Sequence, residues 1–455
     1  MTPIQIKKGL DIPLSGAPKP DVTDLPESNT VAVYQEYEGL KAKARVQEGD
    51  KVKRGTVLFI DKKQPDLQFC SPVAGTVKAI EYGPRRALYR VLIDVAESQE
   101  SESFKKYSVD QLVGLSRDEA LENLLQTGLL GLIRQRPFSR IANPEAKPKA
   151  IFVNGMNTAP FTPDLHIAVK GRENAFQAGL NVLNCLTEGD VHLCIAPDAP
   201  DASTAVTNAK NVKIHTFTGP HPSGNTSVHI HHIDPMEPTD IVWTVKGPDV
   251  IRIGELFLEG QYPNQQLVTL AGPGVKEEAC GYYRVRLGEP LETLFKDRLK
   301  DGEQRIINGD ALAGHAVKAD EHVRFANSAI TVIPEGREQF FMGWLAPGIN
   351  KFSVSRAYLS GWFGQRRKWD LTTNLNGSYR SMVLTGLYDK YMPLNIMVDY
   401  LVRAVLANDT DEAIRLGILE TDPEDYSLCS FVCPSKMDIY GVVKQGLEEI
   451  EREGI

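Results

Sequence analysis

Between residues 149 and 217 the chain alternates apolar runs with one helical stretch, and this alternation limits its fold more than any other feature. K-A-I-F-V-N-G at 149–155 is an apolar run that ends in glycine, the pattern of a buried strand. Residues 173–187, E-N-A-F-Q-A-G-L-N-V-L-N-C-L-T, carry helical spacing and stop near Gly189. V-H-L-C-I-A at 191–196 and N-V-K-I-H-T-F at 211–217 are two further strand-like runs. Strand, helix and strand in that order require crossover connections and parallel pairing. A Rossmann-like α/β domain is therefore expected over residues 104–255, within an α+β and α/β multidomain chain. Ser116, three residues before Glu119, opens an earlier helix in this region, which Gly128 can end.

The flanks differ in texture. Residues 30–100 are dense in β-branched residues and turns, with V-Q-E-G-D-K-V-K-R-G-T-V-L-F at 46–59 and S-P-V-A-G-T-V at 71–77. This pattern resembles the biotinyl/lipoyl carrier fold, so a β sandwich is expected within residues 1–103. In carriers a lysine at a hairpin tip is modified. Here D-K-K-Q-P-D at 61–66 offers Lys62 or Lys63, and a solvated turn is the competing reading. Residues 256–330, with V-T-L-A-G-P-G-V at 268–275 and Y-Y-R-V-R-L-G at 282–288, read as a small β-grasp-like module of the SLBB type. From about 355 the pattern turns helical, with capping acids at Asp409 and Asp411 and an amphipathic helix at 436–453, so 331–455 is expected to be mostly helical.

Y-S-L-C-S-F-V-C-P-S-K places Cys429 and Cys433 four positions apart, before Pro434. C-x3-C-P ends the ferredoxin run C-x2-C-x2-C-x3-C-P that holds a four-iron cluster. The remaining two ligands would stand at 423 and 426, which are Pro423 and Tyr426. A parallel fragment upstream has Met392 in the cysteine position, with Tyr388, Thr385 and Met382 at the preceding spacings. The tail thus reads as ferredoxin-like without clusters. Cys429 and Cys433 are vestigial, and buried small side chains are the first reading ahead of a disulfide or a partial metal site.

These segments, with I-K-K-G-L-D-I-P at the start, R-Q-R-P-F-S (134–139), G-P-H-P-S-G (219–224), L-F-L-E-G (256–260) and T-T-N-L-N-G-S-Y-R-S-M (372–382), resemble one family along essentially the whole chain. It is the A-subunit family of bacterial Na+-translocating NADH:quinone oxidoreductases. The chain is also similar to the C-subunit family of Rnf complexes and, in part, to the complex I flavoprotein subunit. The resemblance implies a peripheral subunit on the cytoplasmic side of the inner membrane, with five partner subunits, in a complex that reduces ubiquinone with NADH and exports sodium. The subunit's implied role lies near quinone, or in capping the membrane subunit that carries the quinone chemistry. The isolated chain is expected not to be catalytic.

Flavin-bearing relatives close a glycine-rich loop on the flavin phosphate. Here the matching place reads G-L-L-G-L-I-R-Q-R-P-F-S, with Arg134, Arg136 and Pro137, and the following segment N-G-M-N-T-A-P-F-T-P-D (154–164) is neutral at the acidic positions. No cofactor is therefore expected on this chain; flavins and the iron–sulfur centre belong to other subunits, and ubiquinone is the possible ligand. Arg134, Arg136, Phe138 and His221 are the quinone-site candidates, since a quinone needs apolar walls and donors for its carbonyls. S-G-W-F-G-Q-R-R-K-W at 360–369 offers Trp362, Arg366, Arg367 and Trp369, with Arg380 nearby, as a docking patch for a membrane partner or as a solvated helix end. His229, His231 and His232 invite a metal reading, with His229 and His231 on one face of a strand, against ordinary strand packing. The two rival functions are a flavin- and NADH-binding subunit of the Rnf type and a purely structural assembly protein.

Composition narrows the partners. The net charge of −8 over 455 residues argues mildly against a nucleic-acid partner, since phosphate binding needs a basic face. No run approaches the roughly 18 apolar residues of a membrane helix. The amphipathic N-terminus shows no signal peptide, and six scattered cysteines fit a reducing compartment.

Overall fold

The computed structural model describes residues 2–197, 203–338, 341–343, 345–355, 357–363 and 367–454. Its central feature is a seven-stranded sheet in the order Ile4–Gln5, Lys213–Thr218, Asp190–Ile195, Ala150–Asn154, Val242–Lys246, Arg134–Arg136, Arg140–Ile141. The first five strands are mutually parallel, and the last two form an antiparallel hairpin on one edge. Ala150–Asn154 is near-continuously apolar and buried from Ala150 to Val153, as its position between two parallel neighbours requires. Helices Glu173–Cys185 and Gly247–Glu259 pack against each other so closely that a Cβ on Gly179 would lie 2.0 Å from the Val250 carbonyl oxygen. Helix Arg117–Thr127 starts on Ser116, whose hydroxyl accepts from the Glu119 N–H, and ends on Gly128 at φ +73°.

Before this domain lie two small antiparallel sheets. One runs Thr30–Tyr34, Leu88–Val95, Gly75–Tyr82, Lys51–Val52, and the other Ala42–Ala44, Val57–Asp61, Gln68–Cys70. Val31, Val52, Phe59, Val77 and Ile93 fill their core, and Phe59 stacks on Phe69 at 4.8 Å. Lys62 and Lys63 lie in the turn after Val57–Asp61 and are exposed. A six-stranded mixed sheet follows in the order His315–Val317, Gln304–Asn308, Ala329–Pro334, Gln265–Ala271, Gly281–Arg286, Lys19–Asp24. The first 24 residues are thus shared out, Ile4–Gln5 to the large sheet and Lys19–Asp24 to the mixed one.

Two expectations are corrected. The histidine run lies on helix Thr226–Ile233, not on a strand. The alternation Val228-His-Ile230 imitates a period of two, but Val228, His229 and Ile230 are all buried, which a one-faced strand could not achieve. Nor does the chain turn helical at 355. Beyond the single turn Ser360–Phe363, the described residues 367–387 carry no helix, and helices resume at Val398–Leu406. Thr and Asn recur there, and their side chains take backbone donors locally. Thr372 Oγ1 accepts from the Asn374 N–H and Asn374 Oδ1 from that of Asn376, which competes with helix formation. Helices Thr410–Arg415, Ser427–Val432 and Ile439–Glu453 complete the C-terminal bundle.

Candidate functional site

Period-two alternation sets the geometry of the edge hairpin. Arg134 pairs with Thr244, Gln135 with Trp243 and Arg136 with Val242, so both arginines project from one face and Gln135 from the other. Gln135 Oε1 accepts from Trp243 Nε1 at 3.2 Å and is thereby committed to the core. The arginines instead line a cavity of 340 Å³. Its walls come from four separate stretches of the chain. Glu36 and Glu38 belong to the first sandwich, Arg134 to Arg140 with Thr244 to Asp249 to the parallel sheet, Asn308 to His315 to the mixed sheet, and Asp422, Glu424 and Tyr440 to the C-terminal helices. Thr244, Val245 and Lys246 stand at the carboxyl end of their strand, beside Ala150–Asn154, where the strand order reverses direction; this is where open parallel sheets place ligands.

Arg136 is 3% exposed. Its Nη1 lies 3.1 Å from Asp422 Oδ2, and its Nη2 donates to Ser227 Oγ at 3.0 Å. Arg134 lies over the Tyr37 ring at 4.8 Å. Asp422 caps the turn Pro423–Tyr426, with its N–H donating to Asp425 Oδ2 at 2.8 Å, and Asn225 Nδ2 donates to Asp425 Oδ1 at 2.9 Å. Burial pushes the Glu424 carboxyl up to about 8, helped by the like charges of Asp422 and Asp425 and opposed by Arg136 and Lys246. Burial also raises Asp310, whose carboxylate accepts from the Leu312 and Ala313 N–H groups, and Glu36, which accepts from the Phe325 N–H.

Two of the four quinone-site candidates, Arg134 and Arg136, thus meet in the cavity; the other two do not line it. Phe138, at φ +70°, packs against the C-terminal core. His221 is buried in the loop after Lys213–Thr218. Its Nδ1 lies 3.1 Å from Thr158 Oγ1, its N–H donates to Asp11 Oδ1 and its carbonyl accepts from the Leu10 N–H. It fastens the N-terminal segment to the sheet, and burial holds its imidazole down to about 4. Lys246, Asn308, Asp310 and Glu424 carry no motif that marks them in the sequence; only the N-G-D turn at 308–310 hints at a special backbone.

The docking candidates separate as well. Trp362 is 59% exposed and Arg380 is exposed. Trp369 is instead buried, its N–H donating to the Pro13 carbonyl, with Arg367 over its ring at 4.7 Å. It belongs to the packing of the N-terminal segment, not to an exposed patch. Arg366 lies outside the described residues. Among the described residues, ten of the sixteen exposed large apolar side chains fall between 341 and 384, Phe341, Ile349, Trp362, Tyr379 and Val383 among them.

Cys429 and Cys433 are buried free thiols in one core with Tyr388, Met392 and Tyr426, and the Tyr388 hydroxyl lies 3.0 Å from Cys433 Sγ. The ligand positions of a ferredoxin run are thus filled by bulky side chains. Among the described residues, no group of three or more His, Cys, Asp or Glu has the arrangement of a metal site. His229 Nε2 lies 3.1 Å from the Ser223 carbonyl oxygen, and His232 Nδ1 lies 2.9 Å from the Val228 carbonyl oxygen.

Comparison with known proteins completes this picture. The chain matches the family described as NqrA N-terminal barrel-sandwich hybrid domain over residues 4–96, NqrA second alpha/beta domain over 115–262 and NQRA C-terminal domain over 267–319. Similar proteins, each named as the A-subunit of Na(+)-translocating NADH-quinone reductase, occur in Saccharophagus degradans and Pasteurella multocida. Each is 42% identical over 454 residues, covering 99% of this chain and 100% of the relative. The same name is carried by a protein of Histophilus somni, 41% identical over 453 residues with the same coverage. The chain belongs to the A-subunit family of Na(+)-translocating NADH-quinone reductases. Members of the NqrA family are parts of an oxidoreductase with further subunits. Among the described residues of this one, no helix is long and apolar enough to cross a membrane.

Proposed function

We propose that this chain is the peripheral subunit that caps the membrane-embedded subunit of its complex, on the cytoplasmic side of the inner membrane, with five partner subunits in all. The observation that carries this reading is the concentration of exposed apolar side chains between residues 341 and 384. Large exposed apolar surface on a folded chain is a partner contact waiting for its partner. Moving sodium across a membrane requires a spanning component, so the partner of choice is the one that spans. Arg367, Lys368 and Arg380 in the same stretch suit the headgroup level of an anionic leaflet. On this reading the chain carries no flavin or cluster of its own, and its parallel sheet is a Rossmann-like scaffold beside β-grasp-like and ferredoxin-like modules.

The test is a photo-crosslinking amino acid at Tyr379 or Phe341 in the assembled complex. The reading expects crosslinks to the membrane-embedded subunit; crosslinks only to soluble subunits contradict it.

A second reading rests on the cavity. An arginine face at the carboxyl end of a parallel sheet, half-buried at Arg134 and buried at Arg136 and walled by four parts of the chain, suits the head group of ubiquinone, with Arg134 and Arg136 as donors. Loss of short-chain ubiquinone binding on Arg134→Gln would support it, and unaltered affinity would remove it.

A further inference from the structure

The mixed sheet lays one face against the parallel-sheet domain. Leu267 pairs with Arg284 and Thr269 with Tyr282, while Tyr282 also pairs with Val22 on the outer strand, so alternation puts all five on that face. Thr269 and Tyr282 close the contact. The Asp164 N–H donates to the Tyr282 hydroxyl at 3.2 Å, and the Thr269 hydroxyl donates to the Phe161 carbonyl at 2.6 Å. Beside them the contact opens. Val22, Leu267 and Arg284 face Ala168, Lys170 and Arg172 across a cleft of 310 Å³, which shares no residue with the arginine-lined cavity.

The floor of this cleft is apolar and its rim is cationic. Leu267 and Ala168 are buried, Arg172 and Arg284 half-buried, and Lys170 exposed. No acid lines it, although acids outnumber bases 59 to 51 along the chain. The neighbouring acids are committed. Arg172 Nε donates to Glu255 Oε1 at 2.6 Å, Arg284 Nη1 lies 3.4 Å from Asp24 Oδ1, and Glu173 Oε1 accepts from the Gly171 N–H at 2.9 Å. The Lys170 ammonium has no hydrogen-bond or ion-pair partner among the described residues. An apolar pocket with an unpaired cation at its mouth complements a molecule that is hydrocarbon at one end and singly negative at the other. A phosphorylated sugar or nucleotide would bring several polar groups to a floor of leucine and alanine that cannot match them. We propose that the cleft binds a straight-chain monocarboxylate, its alkyl chain on Leu267 and Ala168 and its head group on Lys170. The site is independent of both readings above.

The test titrates the full-length chain with octanoate by calorimetry, with thermal midpoints as the check on folding. Saturable one-to-one binding is expected, weakening as salt rises. Hexanoate, shorter by two CH2 groups, is expected to bind roughly tenfold more weakly. Lys170→Glu should lower octanoate affinity about tenfold or more, by losing a charge-assisted hydrogen bond and adding a like charge, and Lys170→Arg should retain it. Val22→Glu, on an exposed part of the wall, should weaken binding as well and is the second variant should Lys170→Glu fold poorly. Lys63→Glu, in a separate exposed turn, should leave the affinity unchanged. Octylammonium binding as tightly as octanoate, or Lys63→Glu weakening it as much as Lys170→Glu, would show unspecific adsorption and overturn the proposal. So would a parent chain that gives no saturation at millimolar octanoate, or a Lys170→Glu chain that binds as the parent does.

Discussion

Arg136 Nη1 lies 3.1 Å from Asp422 Oδ2, and this contact joins the edge hairpin of the parallel sheet to the cap of the short turn Pro423–Tyr426 among the C-terminal helices. The guanidinium is almost wholly buried, so its charge has little water to fall back on. Removing one partner of such a pair costs about 3–5 kcal/mol, because the other is left charged and dry. Asp422→Ala is therefore expected to lower the thermal midpoint clearly, while Asp422→Asn, which keeps the cap and an acceptor, loses less. Calorimetry of the two variants checks the order.

Glu424 sets a pH dependence with a definite sign. Its folded-state pKa of about 8 lies above that of an unfolded glutamate near ~4.3, so the folded protein holds the proton more tightly. Stability from this group is fully present below the unfolded value and declines as pH rises towards 8. Asp422 and Asp425 push in this direction, and Arg136 and Lys246 against it. Glu424→Gln removes the titration. The stability of this variant relative to the parent should rise between about pH 5 and pH 8 in urea unfolding, and a constant difference would contradict the assignment.

Gly9 stands at φ +141°, and a Cβ there would lie 2.2 Å from the His221 carbonyl oxygen. Gly9→Ala should detach the N-terminal segment from the sheet rather than unfold the chain. Limited proteolysis would then release the first residues faster than in the parent, with the later domains intact.

The thiols of Cys429 and Cys433 are buried, and burial raises that of Cys429 further. Neither should react with a thiol reagent at pH 8 until the C-terminal helices open, since the thiolate is the reactive form. Labelling that follows unfolding, mapped by mass spectrometry, is the expected outcome.

Much of the fold was legible because its signals are local. Residues 149–155, 191–196 and 211–217 announced parallel strands, and Ser116, Gly128 and Asp409 announced helix ends, since periodicity and capping act within a few residues. Helix Thr226–Ile233 was hidden by a false alternation that only tertiary burial resolves. The cavity was legible only in part. Arg134 and Arg136 stood out as charges where glycines were expected, but Glu36, Asn308 and Glu424 reach it from distant parts of the chain, and no local pattern marks a long-range meeting.

The capping role is tested most directly by assembly. Phe341, Ile349, Tyr379 and Val383 are exposed, so replacing all four by serine should leave the thermal midpoint of the isolated chain within about 2 °C. This variant is expected to be lost from the detergent-solubilised complex and recovered in the soluble fraction. A variant chain that remains in the complex at the parent's stoichiometry would contradict it.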